Sequence, residues 1–449
     1  MKKIILSLLI TMTVFFVPLV AEAEMSGDRT RNSDGGGVNI AVEFLNAEET
    51  DTENLEFKIN MDTHSGDLTD VNFEEKISLT DEKGNIEIDN LEWEWLSKSA
   101  HHPSAKLIIP NKDKNGNPVY HFNTNKLVLT ISDLRDTDHE LKWEIERPYL
   151  TVVPNEVDGS VSVIDINENE VIDTIEIGDK AGHGIAVEPH GKYLYTGDME
   201  TGELHIYDTN KKEIVSELDI NVEIHGIDIT PDGKYLFISP FSGGEAEENL
   251  IIFNTSENEI EKEFIDEISG SSSHVTINKE GTLAISAILG ENLVEVIDID
   301  SLEVIETIEV GEGPNEARIS PDGKRAYVAN WESNEITVID MEELEVIDNV
   351  PAGKGTHGVA VSPDSNEIWT ANRKSNDVTI IDAESLEVKE TIASGEYANH
   401  LKFSPDGKNV MVTNAHENEL AVIDRESLTI VDKIKVGNDP HEIDFIPKN

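Results

Sequence analysis

The stretch SPDGKRAYVANWESNEITVID at 320–340 recurs, with substitutions, as SPDGKNVMVTNAHENELAVID at 404–424. Each copy reads as a Pro-Asp-Gly turn, an alternating strand, a polar turn and a second alternating strand ending in Asp. Working outward, the segments SVSVID, ELHIYD, NLIIFN, LVEVID, EITVID, DVTIID and ELAVID end at Asp165, Asp208, Asn254, Asp298, Asp340, Asp382 and Asp424. Their intervals are 43, 46, 44, 42, 42 and 42 residues. A period of this length holds four short strands, the content of one propeller blade. Seven such units predict a ring over 149–447 that leaves no long sheet edge exposed. The ends predict how the ring closes. YLTVVPN at 149–155 begins the first unit with no innermost strand before it, and DPHEIDFIP at 439–447 is an innermost strand with nothing after it. A C-terminal strand at 441–447 is therefore expected to complete the first blade.

The two quoted copies resemble the YVTN-type, lactonase-like β-propeller repeat family. The resemblance covers residues 149–447 and implies the seven-bladed fold. Members include lactonase-like proteins, surface-layer and cell-envelope proteins and binding proteins, so function has to be argued from the site.

The 449 residues carry 91 Asp and Glu against 35 Lys and Arg, a formal charge of −56. Such a surface repels phosphate backbones and anionic membranes, which excludes nucleic acid as a partner and suits a protein kept soluble outside the cell. With no cysteine, disulfides, thiol nucleophiles and thiolate-held metals are excluded. The N-terminus, MKKIILSLLITMTVFFVPLVAEA, pairs two lysines with a short apolar run and an Ala-Glu-Ala end, which predicts a signal peptide at 1–23. No other long apolar stretch follows, so the processed chain is expected to be secreted or extracytoplasmic, in the periplasm or at the cell surface, with no transmembrane segment. Polar, Gly-rich residues 24–37 predict a flexible leader. Between 38 and 147, VNIAVEF, LEFKINM, KISL, IEIDNLEWEW, AKLIIP, KLVLTI and ELKWEI alternate like strands and predict a β-sandwich. The expected fold is all-β: a sandwich followed by a seven-bladed propeller.

One position in the repeat gathers unusual chemistry. Counting back from each repeat Asp, or forward from the preceding Gly, gives His183, His225, Ser273, Asn315, His357, Asn399 and His441. This position opens the innermost strand, so all seven should crowd one mouth of the central channel. His274 and His400 follow Ser273 and Asn399 directly, and would join the ring only if a bulge turns them inward. Converging neutral imidazoles without thiolates suit Cu, Zn or another divalent metal. The competing reading makes each imidazole part of the repeat, hydrogen-bonded to a neighbouring blade. A second ring, Asn155, Asp198, Asn330, Asn372 and Asn414, has a turn-forming explanation. If a ligand binds at this mouth, Asn315, Asn399, Trp331, Arg373 and His416 are the candidate contacts, and the loop SPFSGGEAEEN could cover it. Glu316 and Glu442 are the nearest acids by register. In the N-terminal domain, His64, His101 and His102, with Asp62, form a second candidate metal site. The sequence thus predicts an exported propeller that binds a protein, small molecule or envelope component at the channel mouth. The alternative is a metal-dependent enzyme, redox or lactonase-like, using the same histidines.

Overall fold

The computed structural model describes residues 29–47, 52–63, 66–81, 84–86, 90–112, 119–120, 124, 126–144, 149–240, 250–264 and 268–447. The predicted signal peptide, His64 and the loop at 241–249 lie outside them. Among the described residues the fold is all-β, with one short 3-10 turn at Ala415–Glu417 and no helix long and apolar enough to cross a membrane.

Residues 30–144 form two antiparallel sheets. One orders Thr30–Gly35, Val38–Phe44, Asn54–Thr63, Ser104–Pro110 and Glu92–Ser97, and the other Gly84–Ile86, Ile77–Asp81, Lys126–Ile131 and His139–Glu144. Alternation along Val38–Phe44 and Ser104–Pro110 turns Val38, Ile40, Val42, Leu107 and Ile109 inward. They share one core with Leu127, Leu129, Leu141 and Trp143 of the facing sheet, the packing of a sandwich. Phe44, Phe57, Tyr120 and Trp143 pack ring against ring in that core. The expected leader is corrected here. Thr30–Gly35 pairs with Val38–Phe44 in full antiparallel register, because Gly36 and Gly37 take positive φ angles of 57° and 70° and close a two-residue hairpin turn.

From residue 149 onward, seven four-stranded sheets follow, here blades I to VII. Their middle strands are buried end to end, as in Ser160–Asp165 and Leu250–Asn254, because neighbouring blades cover both faces. Outer strands such as Glu170–Glu176 are mostly exposed. The repeat Asp closes each unit's turn. Asp340 Oδ1 accepts the Glu342 and Glu343 N–H groups at 2.9 and 3.0 Å. Asn254 does the same for Ser256 and Glu257, both at 3.1 Å, so Asn replaces Asp there without loss of the turn. Blade I takes its innermost strand from the C-terminus: Asp444–Pro447 pairs with Tyr149–Asn155, Tyr149 opposite Pro447 and Val152 opposite Asp444. Regular pairing begins only at Asp444, and a single bridge between Asn155 and Pro440 precedes it.

Candidate functional site

The innermost strands, Ala181–Val187, Ile224–Ile229, Ser271–Ile277, Pro314–Ile319, Thr356–Val361, Ala398–Phe403 and the C-terminal strand, surround the central channel. Five of the seven connections into them pass a residue of the second ring. Asn155, Asn330 and Asn372 are buried and donate from Nδ2 to Ser162, Thr337 and Thr379 hydroxyls at 2.9, 2.9 and 3.0 Å. A Cβ on Gly437, Gly311 or Gly353 would lie 2.6, 2.7 or 2.4 Å from Cγ of Asn155, Asn330 or Asn372. These glycines are therefore required by the buried amides, and this ring is architecture.

All six histidines of the first ring converge. Ring centroids lie 4.7 Å apart for His183 and His225, 4.5 Å for His225 and His274, and 5.0 Å for His274 and His400. His357 lies 4.7 Å from His400, and His441 lies 3.6 Å from His183. His274 and His400 join because the ladder slips between Ser272 and Val275 and between Ala398 and Leu401, a bulge that redirects the side chain. Three imidazoles are tied to the next blade. Nδ1 of His225, His274 and His357 faces the carbonyls of Ser273, Asn315 and Asn399 at 2.7, 3.2 and 3.3 Å. A carbonyl only accepts, so Nδ1 carries the proton in each and Nε2 keeps its lone pair. The blade-bridging role and a ligand role use opposite edges of one ring.

At the mouth, His183 and His441 stack nearly parallel, at 4°, and both direct Nε2 at one oxygen of Glu156, 2.8 and 3.3 Å away. Lys180 holds the other Glu156 oxygen at 2.6 Å. Burial works against the Glu156 carboxylate, yet the hydrogen bonds from His183, His441 and Lys180 outweigh it and hold its pKa far below the ordinary range. Burial lowers His183, His225 and His441 to about 3, and puts His274, His357 and His400 well below their usual value. All are neutral imidazoles at neutral pH.

A cavity of about 290 Å³ opens at this mouth, lined by Glu156, His183, His225, His357, His441, Asn315, Arg373, Tyr397 and Asp439, with Ser271–Ser273 along one wall. Arg373 is its most informative residue. Its Nε donates to Asn399 Oδ1 at 2.6 Å and its Nη2 reaches the same oxygen. Asn399 is itself buried and donates to the Pro440 carbonyl at 3.1 Å. The guanidinium is held over Tyr397 and near Trp331, 4.8 and 5.8 Å from the ring centroids. Burial lowers its pKa to about 10. Among the described residues, no carboxylate comes within 4.0 Å of it. Tyr397 takes a φ of 62° where the equivalent turns of blades V and VI use Gly313 and Gly355, at 69° and 68°. A bulky residue in this region stores strain of about 1 kcal/mol or more, as Leu302, Leu344, Leu386 and Leu428 do in the repeat turns.

The expected contacts therefore divide. Arg373 and Asn315 line the cavity. Asn399 positions Arg373 from behind, Trp331 flanks it, and His416 stacks on Tyr397 at 4.2 Å without lining the cavity. Glu156, Tyr397 and Asp439 were not singled out by sequence. Glu156 directly follows Asn155, as Trp331 follows Asn330 and Arg373 follows Asn372, so the register held that signal. In the N-terminal domain His101 Nδ1 turns to the Thr63 carbonyl at 3.1 Å, whereas exposed His102 pairs with Asp62 at 3.3 Å. No group of three metal-ligating side chains forms there among the described residues, and His64 lies outside them.

Seven four-stranded blades around a channel, with a polar cavity at one mouth, define a β-propeller. The chain belongs to the lactonase, seven-bladed β-propeller family, whose model matches residues 141–431. Similar solved structures include the hydrazine synthase of Kuenenia stuttgartiensis, with a TM-score of 0.54 and 20% identity over 68% of this chain and 93% of that one. A protein of unknown function from Desulfotomaculum acetoxidans has a TM-score of 0.58 and 15% identity, covering 67% of this chain and 99% of that one. Dihydro-heme d1 dehydrogenase NirN, at 0.52 and 16%, covers 67% and 76%. At these identities the likeness is one of fold. No curated protein matches the sequence.

Proposed function

We propose that this propeller is exported and binds a small carboxylate-bearing ligand at the channel mouth. One observation carries the reading. In a chain with 91 acidic and 35 basic side chains, Arg373 faces the cavity desolvated and fixed by Asn399 and two aromatic faces, with no carboxylate among the described residues in ion-pair contact, although Glu156 and Asp439 share the lining. A guanidinium so placed has its remaining N–H groups in a rigid fork that matches a carboxylate. At about 290 Å³ the cavity suits a small molecule rather than a polymer. The signal-like N-terminus and high acidity support an extracytoplasmic setting.

Calorimetry with short mono- and dicarboxylates, and with neutral amides of the same shape, tests this. The acids should bind at least about tenfold more tightly than the amides, and Arg373→Ala should cost about 100-fold, the worth of a charge-assisted bidentate contact. Equal binding of acids and amides, or an unaffected Arg373→Ala, would overturn it.

Lactonase-like hydrolysis has one observation in its favour, the hydrogen bond between His183 and Glu156 in the cavity wall. A carboxylate-oriented imidazole is a general-base arrangement. With a pKa of about 3, His183 is a weak base at neutral pH, so hydrolysis ranks below binding. Turnover of a lactone panel that His183→Asn abolishes would reverse that order.

A further inference from the structure

Behind the mouth cavity, the innermost strands of blades I, IV and VII bring a second group together, and it differs in kind. His274, His400 and Glu442 each place one ligand-capable atom within 4.8 Å of the other two, and all three are buried. His274 Nε2 lies 3.4 Å from a Glu442 oxygen. Donors at 2.0–2.1 Å from a tetrahedral ion sit about 3.3 Å apart, so this pair is already at ligand spacing. The His274 and His400 rings are tilted by 50°, so their lone pairs can meet at one point. The parallel rings of His183 and His441 cannot do so without splaying.

Two independent observations point to an ion. The first is a pair of orphaned atoms: Nε2 of His274 and of His400 has no hydrogen-bond partner among the described residues despite burial, where polar atoms are normally satisfied. The opposite edges of both rings are fixed by consecutive residues. The Asn315 carbonyl faces His274 Nδ1 at 3.2 Å, and the Glu316 carboxylate faces His400 Nδ1 at 3.2 Å. Backbone carbonyls and carboxylates are the groups that orient metal-bound imidazoles. Glu316 is in turn held by the Val359 N–H at 3.1 Å and by Arg318 at 2.5 Å.

The second observation is charge. Arg318 acts among the carboxylates of Glu316, Glu442, Asp228 and Asp444, and Lys402, 2.6 Å from Asp444, is the other cation. Glu316, Asp228 and Asp444 against Arg318 and Lys402 leave a negative surplus before Glu442 is counted, which is costly in a largely enclosed site. A dication offsets that surplus and favours Glu442 as the carboxylate.

We infer that the depth of the channel binds one divalent late transition-metal ion such as Zn²⁺, through Nε2 of His274, Nε2 of His400 and the Glu442 carboxylate. Two imidazoles and a carboxylate leave a fourth position for water or a bound molecule. The inference rests on residues other than Arg373 and stands apart from the carboxylate reading.

Full-length protein expressed without a histidine tag, stripped with chelator and titrated with Zn²⁺ and Co²⁺, provides the test. Wild type should take up one ion per chain, with the intense visible bands of four-coordinate Co²⁺. His274→Asn and His400→Asn should weaken Zn²⁺ at least about 100-fold, while His183→Asn and His441→Asn should stay within about threefold of wild type. Glu442→Gln keeps shape and removes the charge, so its affinity remains decisive if a histidine variant fails to fold. It should lose at least about tenfold. No uptake by wild type, unchanged affinity in Glu442→Gln, or losses in the mouth variants equal to those in the deep ones would overturn the inference.

Discussion

The mouth and the depth of the channel use the same residue types to opposite ends. At the mouth, Glu156 is saturated by Lys180, His183 and His441, the two rings lie parallel, and a cationic Arg373 stands with no carboxylate in ion-pair contact among the described residues. In the depth, the rings are tilted, their Nε2 atoms have no hydrogen-bond partner among the described residues, and acidic side chains outnumber cations. The first arrangement recruits an anion and the second a cation. Histidine count alone therefore says little about a site. What decides is which ring edge is spent on the scaffold and whether the neighbouring acids are already satisfied.

The largest test removes both ends of the comparison at once. Cutting the chain after Asn438 deletes His441 from the mouth, Glu442 from the depth and the strand that closes blade I. Ile443, Phe445 and Ile446 are buried, and at about 2 kcal/mol each their loss costs about 6 kcal/mol before any backbone pairing is counted. Thermal melts should show a transition lowered by more than about 10 °C or no cooperative transition. A melt unchanged from wild type would mean that blade I does not depend on its C-terminal strand.

Proton linkage sharpens the contrast. His183, His225 and His441 fall from 6.5 to about 3 on folding, so the unfolded chain binds more protons and stability rises with pH from about 3 to 6.5. Each contributes about 1.4 kcal/mol per pH unit, about 4 in all. Glu442 moves the other way. Burial and the Glu316 charge push it up from 4.5 to about 8, so its contribution is present below 4.5 and is lost as pH rises to 8. Between 4.5 and 6.5 these three histidines outweigh Glu442 by about 3 kcal/mol per unit, and His274, His357 and His400, also lowered, steepen the gain; above 6.5 the Glu442 loss of about 1.4 remains. Urea midpoints across pH 4.5 to 8 should peak near 6.5. His441→Asn should reduce the acid slope, and Glu442→Gln should flatten the alkaline one.

The smallest expected effect separates the ends by salt. The net charge of −56 repels an approaching carboxylate and attracts a metal ion, and both fields are screened over about 10 Å at 0.1 M salt. Raising salt from about 10 to 150 mM should speed carboxylate association a few-fold and slow Zn²⁺ uptake by a similar factor in stopped-flow traces. The same direction for both would erase the distinction.

Much of the architecture was legible because it is periodic. The repeat Asp marks a side chain capping its own turn, so each copy reports a local hydrogen bond that any blade needs. The strand pattern of the sandwich was equally readable, but Thr30–Gly35 was not, since TRNSDG has no apolar alternation and pairs only because the Gly36–Gly37 turn folds it back. At the site, the register brought His183, His225, His357 and His441 to one mouth from spacing alone. It could not show that His183 and His441 stack on each other and share Glu156, a residue that arrives from the start of the propeller.

The sequence by itself determined seven blades, the position that faces the channel and the neutral, thiol-free chemistry available there, because these follow from periodicity and residue type. Only the tertiary structure decided how the six imidazoles divide. A ladder slip is common to the innermost strands of blades II to VII, so the choice depends on which register position carries the histidine, on carbonyls offered by the next blade, and on acids brought in from blades I and V. Those contacts span up to the full length of the propeller in sequence, and no local pattern encodes them.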